Sequence, residues 1–210
     1  MPVYEVEQKY PVADVAALEA RLAGVAAGWH GVVEQADRYF GHPNRDFAAT
    51  DEALRLRRTD DGVWITWKGP RLDASAKTRR EIELPLAEAA VPAAAGAEAA
   101  VPAAAGGAPA VAASPPATLD RWTDLLEALG FRRVREVAKR RRLATVAWDG
   151  VLIDVAIDYV AGLGDFVEFE LQADAAGIAL AATRVESLAR HLGCTCPEPR
   201  SYLEMLLTQA

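Results

Sequence analysis

Five residues into the chain, Glu5-Val6-Glu7-Gln8-Lys9 alternates so that two carboxylates and an ammonium fall on one side. Successive side chains of a strand point to opposite faces, which groups Glu5, Glu7 and Lys9 against Val6 and Gln8. Alone, such a stretch would be a solvated edge strand. The pattern returns, however, in strand after strand. Arg55 and Arg57 alternate with Leu54 and Leu56; Lys68 shares a face with Thr66 and Trp64; Arg79, Glu81 and Glu83 stand opposite Arg80, Ile82 and Leu84. Further on, Lys139 pairs with Arg141 and Glu168 with Glu170 at two-residue spacing, and Asp154 and Asp158, four apart, fall on a common face. Guanidinium forks suit phosphate oxygens, and two or three carboxylates suit a hard divalent cation such as Mg2+. Basic and acidic sets side by side therefore point to a polyanion, such as a triphosphate, bound together with metal.

The elements that must position these groups follow from the intervening residues. Asp14 caps an expected helix over 14–23 with apolar residues at 15, 18 and 22. A strand is expected over 32–40, followed by a turn at Gly41-His42-Pro43-Asn44, where His42 reads as a loop residue because no second histidine stands at metal spacing. Tyr39 falls on the face of Asp37, either touching the charged side or serving as an ordinary barrel aromatic. Strands over 52–58 and 63–70 are joined by Asp60-Asp61-Gly62, and a basic loop around Lys77 leads to a strand over 79–84. A helix over 119–130 ends at Gly130, a long strand runs to Trp148, and Asp149-Gly150 is a strong two-residue hairpin signal into a strand over 151–159. A final strand over 165–171 precedes amphipathic helices near 175–192 and 202–207.

Between these elements, the low-complexity Ala/Pro insertion at about 87–118 carries no Lys or Arg and is broken by Pro92, Pro102 and Pro109. It reads as a linker with no assigned function inside one domain spanning 1–210.

With 51% hydrophobic and 25% charged residues among 210, the composition is that of a globular domain able to bury a core. The net charge of −7 disfavours nucleic acid as a partner. No apolar run approaches the ~20 residues of a membrane span and none resembles a signal peptide, so no membrane association is expected and the cytoplasm is the expected location. Cys194 and Cys196 are one residue apart, which suits neither an ordinary disulfide nor a metal pair, and they read as reduced thiols.

Eight expected strands, most with ionisable groups at alternate positions, cannot enclose an apolar sandwich core, because unpaired buried charges cost several kcal/mol each. The expected fold is α+β: an eight-stranded antiparallel β-barrel with a polar lumen, cationic and acidic walls facing each other, and outward apolar residues packed beneath helices.

In this order, Glu5-x-Glu7-x-Lys9, Leu54-Arg55-x-Arg57, Lys68-Gly69, Arg79-x-Glu81-x-Glu83, Lys139-x-Arg141, Asp158 and Glu168-x-Glu170 resemble the CYTH domains of the triphosphate tunnel metalloenzyme superfamily. The segments Tyr39 to Phe47, Thr50 to Arg55, Lys68-Gly69-Pro70 and Ser201 to Glu204 look most like its class IV adenylate cyclase branch, with thiamine triphosphatases as relatives. The resemblance implies Mg2+ or Mn2+ as cofactor. It implies that Lys9, Arg55, Arg57, Lys68, Arg79, Lys139 and Arg141 grip phosphates, with Lys9, Lys68 and Lys139 catalytic. Metal would fall to Glu5, Glu7, Asp158, Glu168 and Glu170, with Tyr39, Glu81, Glu83 and Asp154 in supporting places. The implied reaction is cyclisation of ATP to cyclic AMP and pyrophosphate. The alternatives are hydrolysis of thiamine triphosphate or inorganic tripolyphosphate, and polyphosphate binding without turnover. The cyclase branch is often dimeric, so a homodimer is an implied partner, although no residue stripe marks an interface.

Overall fold

The structure, a computed structural model, describes residues 4–70, 79–86 and 115–209. The loop around Lys77 and the alanine-rich stretch through residue 114 lie outside the described residues. Eight strands are present: β1 (Tyr4–Pro11), β2 (Gly28–Gly41), β3 (Ala53–Thr59), β4 (Gly62–Lys68), β5 (Arg79–Pro85), β6 (Arg132–Trp148), β7 (Val151–Val160) and β8 (Gly164–Ala173). They close into one antiparallel barrel in the order β1-β5-β4-β3-β2-β6-β7-β8. Closure is asymmetric. β1 pairs with β8 along its whole length, from Tyr4↔Ala173 to Pro11↔Phe166, but with β5, among the described residues, only at Tyr4↔Arg80 and Glu5↔Arg79.

The helices are α1 (Val15–Gly24), α2 (Phe47–Thr50), α3 (Pro115–Ala128), α4 (Ile178–His191) and α5 (Tyr202–Thr208). Asp14 caps α1 as expected, its carboxylate accepting the Ala17 N–H at 2.9 Å. Outward side chains of β6, β7 and β8, among them Val146, Ile153, Val155, Val167 and Phe169, pack with Leu18 and Leu22 of α1 and Val185 and Leu188 of α4. A second cluster seats Leu119 and Leu126 of α3 on Leu54, Leu56 and Val63. The apolar outer face of β5 departs from expectation: Ile82 and Leu84 are exposed at 39% and 56%, because the helices cover other strands.

Three boundaries also move. β2 starts at Gly28 rather than at residue 32, since pairing with β6 runs from Gly28↔Thr145 to Gly41↔Arg132 and carries the Gly-rich start, with a register shift at Trp29/Gly31. The short helix α2 is unforeseen; Asp46 caps it by accepting the Ala48 and Ala49 N–H groups at 3.0 and 3.1 Å, and Phe47 is buried beneath it. α3 starts at Pro115, inside the stretch read as low-complexity. The Asp149-Gly150 hairpin is as expected, with φ of 47° and 77°, the positive pair that a two-residue turn matching strand twist demands.

Leu188 is fully buried at the centre of the α4 contact. Leu188→Ala is expected to lower unfolding free energy by about 2–5 kcal/mol in urea denaturation; a loss well below this would mean that α4 contributes little to the barrel's stability.

Candidate functional site

Because opposite residues of paired strands point to one face, the barrel register brings the alternating charges together in the lumen. They form two arcs. β7, β8, β1 and β5 supply Asp158, Glu168, Glu170, Glu5, Glu7, Glu81 and Glu83; β4, β3 and β6 supply Lys68, Arg55, Arg57, Lys139 and Arg141. The expected facing walls are thus present, with Lys9 and Arg79 inserted in the acidic arc and Asp37 of β2 in the basic one. The lumen is a cavity of about 680 Å³.

The arcs join through ion pairs. On one side Lys68 Nζ reaches Glu5 Oε2 at 2.9 Å and Glu81 Oε2 at 2.7 Å. On the other, Arg141 clamps Asp158 at 2.7 and 2.5 Å and also donates to Glu168. Within the basic arc, Asp37 accepts Arg57 Nε at 2.7 Å and Arg57 Nη2 at 2.8 Å, with Arg55 Nη1 at 3.3 Å. Burial opposes ionisation of Asp37, but the Arg55 and Arg57 guanidiniums outweigh it and hold the carboxyl far below the usual range. Arg55 also interacts with Tyr39, which lines the cavity, and its Nε has no hydrogen-bond partner among the described residues.

Lys139 behaves differently from the other cations. Burial and the adjacent Arg141 charge bring its ammonium down to about 8, against the pull of Asp158, 3.6 Å away, and Glu168. Burial tends to lower Lys68 too, but Glu5 and Glu81 keep it above the ordinary lysine value.

At the end of the lumen facing α5, Lys9 donates from Nζ to the Arg200 carbonyl at 2.5 Å and lies 4.0 Å from the Tyr202 ring centroid. Lys139 lies 5.3 Å from the same ring, and Tyr202 donates its hydroxyl to Asp158 at 2.9 Å. α5 is held there by a capping box in which Ser201 and Glu204 exchange backbone bonds, and by Arg135 donating to the Leu206 carbonyl at 3.1 Å. Arg79 lines the cavity and donates to the Asp51 carbonyl at 3.1 Å, tying β5 to the end of α2.

The acidic arc holds excess negative charge. Burial first, and then Glu5 and Glu7, push the Glu170 carboxyl up to about 8; burial also raises Glu5. Burial alone would raise Glu81, yet a hydrogen bond with Glu5 and the Lys68 and Arg55 charges bring it down to about 2. Clustered hard oxygen donors that resist ionisation together fit a divalent cation, which would relieve their repulsion. Among the described residues, no three His, Cys, Asp or Glu groups already form a closed metal cage.

Of the residues singled out in the sequence, all but Asp154 and Asp158 line the cavity. Asp154 is exposed near the far end of β7. Asp158 is wholly buried behind Arg141, both oxygens occupied by Arg141 and one also by Tyr202, a geometry that positions those groups rather than presenting a carboxylate to the cavity. Sequence reasoning gave no site role to Asp37, to Tyr202 or to the loop from Arg45 to Glu52, all of which line the cavity or its surroundings. Asp37 could have been found from its place two residues before Tyr39 on the charged face. Tyr202 stood out only within the Ser201-to-Glu204 resemblance, since it is far away in sequence on a separate helix and no strand alternation points to it.

A closed antiparallel barrel with an acidic arc, a basic arc and helices outside defines a charged-tunnel protein. The family model for the CYTH domain matches residues 3–194, and the chain belongs to that family. A Methanocaldococcus jannaschii protein named "Putative adenylate cyclase" is 31% identical over 136 residues, covering 65% of this chain and 58% of that protein. The PH1819 protein of Pyrococcus horikoshii superposes with TM-score 0.75 at 32% identity, covering 98% of this chain and 99% of that one. HpAC1 from Hippeastrum, an adenylyl cyclase by name described as having a dominant triphosphatase activity, superposes with TM-score 0.59 at 15% identity, covering 100% and 96% of the two chains. Among the described residues no helix is long and apolar enough to cross a membrane.

Asp37→Asn should leave two buried guanidiniums under-compensated and cost about 3–5 kcal/mol at pH 7. The Asp37 pKa is depressed on folding. Its contribution is therefore present above the unfolded carboxylate value of about 4 and lost as pH falls towards the folded one. Urea denaturation at pH 7 and pH 3 should show a smaller acid-induced loss in the variant; parallel losses would count against the pairing.

Proposed function

We propose that this chain is a metal-dependent enzyme acting on a triphosphate, and that its reaction is conversion of ATP to cyclic AMP and pyrophosphate. The observation that carries the reading is the charge balance of the lumen. Seven cationic side chains face eight carboxylates along the inner strands of the described residues. Binding a triphosphate there would leave the site strongly negative unless divalent cation entered with it. Arg55, Arg57, Lys68, Lys139 and Arg141 would take phosphate oxygens, with Lys9 and Arg79 at the α5 and α2 end. Glu5, Glu7 and Glu170, with Glu168 beside them, would hold Mg2+ or Mn2+, while Asp158 orients Arg141 and Lys139. The metal would supply charge neutralisation at the phosphates, with remaining coordination from phosphate oxygens and water.

The chain's own residues do the rest. Arg55 and Arg57, fixed by Asp37, are pre-set donors for equatorial phosphate oxygens. Lys9, Lys68 and Lys139 stabilise charge that accumulates on the leaving pyrophosphate when the ribose 3′ oxygen attacks the α-phosphorus. The Methanocaldococcus relative supports the cyclase reading by name. Hydrolysis at the terminal phosphorus is the second reading, supported by the activity described for HpAC1. Both reactions use the same grip and differ in how the ligand lies and whether water is admitted.

Incubation with Mg2+ or Mn2+ and, separately, ATP, thiamine triphosphate and tripolyphosphate is expected to give cyclic AMP with equimolar pyrophosphate from ATP. Orthophosphate without cyclic nucleotide would assign hydrolysis, and no product from any of the three would defeat the enzyme reading. Lys139→Ala should lower kcat/KM by about 100-fold or more.

The pH profile of kcat/KM tests Lys139 separately. Its pKa of about 8 in the free protein leaves it charged below that pH and neutral above, so kcat/KM should fall as pH rises through about 8. Lys139→Arg keeps its charge and should lose this alkaline limb. An unaltered profile would remove Lys139 from phosphate binding.

A further inference from the structure

Lys9 and Lys139 share a partner that carries no charge. Lys9 Nζ lies 4.0 Å from the Tyr202 ring centroid and Lys139 Nζ 5.3 Å from it, and Tyr202 itself is buried. Both distances fall within the ~6 Å over which the negative face of an aromatic ring attracts an ammonium. The ring is fixed in place. Its hydroxyl donates to Asp158 at 2.9 Å, Phe166 meets it edge-on with centroids 5.2 Å apart, and Val160 and Leu206 pack in the same cluster. Burial, and then the Glu168 and Asp158 charges, push the phenol well above its ordinary value, so it stays a neutral donor.

A charged partner and a ring differ in what they do to an incoming anion. A carboxylate that secures a lysine also repels phosphate, because Coulomb energy falls only with the inverse of distance. The quadrupole of a ring attracts an ammonium at contact but its field dies away much faster, leaving the positive charge open towards the lumen. Elsewhere in the basic arc the carboxylate solution is used: Asp37 clamps Arg57, and Glu5 and Glu81 take Lys68 at 2.9 and 2.7 Å. Lys139 instead stands 3.6 Å from Asp158, beyond hydrogen-bond length.

Resting on the triphosphate reading, we infer that Tyr202 is a positioning residue for phosphate: the face of its ring holds the Lys9 and Lys139 ammoniums charged and aimed into the lumen. An ammonium has three N–H donors, so it can rest on the ring and still reach phosphate oxygens. Lys9 already divides itself in this way, donating to the Arg200 carbonyl at 2.5 Å while lying over the ring. Without that face, the carboxylates that stand across from the two lysines, Glu168 for Lys9 in the β1–β8 register and Asp158 for Lys139, hold each ammonium more tightly against phosphate. Tyr202 lies beyond residues 3–194, the span matched to the family.

The test compares Tyr202→Phe with Tyr202→pentafluorophenylalanine in the full chain, since the two rings have nearly one shape and the fluorinated one has lost its negative face. Affinity for pyrophosphate with Mg2+, which neither proposed reaction consumes, is read by calorimetric titration. Tyr202→Phe should stay within about threefold of the parent, and the fluorinated variant should bind roughly tenfold more weakly, the scale of a desolvated cation–ring contact. Leu206→Ala loosens the same packing without altering the ring; it should lower the thermal midpoint and keep affinity within about threefold. Equal affinity for the two rings, tighter binding by the fluorinated one, or a tenfold loss in Leu206→Ala would overturn the inference and leave the triphosphate reading intact. A parent chain that binds neither pyrophosphate nor ATP would overturn both.

Discussion

Enclosing guanidinium and carboxylate groups in a closed barrel costs several kcal/mol for each charge left without a partner, and this constraint shapes the lumen. Every cation of the basic arc meets a carboxylate. Asp37 holds Arg55 and Arg57, Asp158 and Glu168 hold Arg141 with Lys139 nearby, and Glu5 with Glu81 holds Lys68. The arrangement keeps the donors rigid and aimed inward before any ligand arrives. Preorganisation of this kind lets fixed dipoles and charges act on a phosphate chain without reorganisation cost at the moment of reaction.

The same pairing explains why the two arcs are unequal in character. Most basic groups have their charge secured by a neighbouring carboxylate, Lys139 excepted, whereas burial drives the Glu170 and Glu5 carboxyls towards the neutral form, the charges of Glu5 and Glu7 adding to the push on Glu170. Added positive charge would be accepted most readily on this acidic side. The barrel therefore separates a stiff, satisfied grip for an anion from a frustrated set of oxygen donors suited to a cation, within one lumen.

Packing outside the barrel serves the lumen indirectly. α1 and α4 cover β6 to β8, and α3 covers β3 and β4, so that strand faces opposite the charges are apolar and dry. α5 does something else. With Phe166 and Val160 against Tyr202 and Leu206, it packs on the end of the barrel and carries an aromatic ring over two of the lysines. The stability of this short helix and the shape of the cavity mouth are in that way one problem.

Much of this was legible in the residues alone. Period-two alternation reports strand faces directly, so Glu5, Glu7 and Lys9, or Arg55 and Arg57, could be placed on one side without coordinates, and the Asp149-Gly150 turn fixed a hairpin locally. Repetition of charged faces then left a polar-lumen barrel as the arrangement that avoids burying them unpaired. What the chain could not reveal depended on contacts between distant segments. The pairing of Gly28 to Gly31 with β6 extended β2 through residues of weak strand character, because ladder bonds and neighbouring strands outweighed local propensity. The partner of each charge was likewise decided by strand order, which put Asp37 between Arg55 and Arg57 and withdrew Asp158 from the cavity behind Arg141. Tyr202 reaches Lys9 across nearly the whole sequence. Alternation is a property of neighbouring residues and can be read along the chain, whereas these contacts exist only once barrel closure brings remote strands and α5 to the same place.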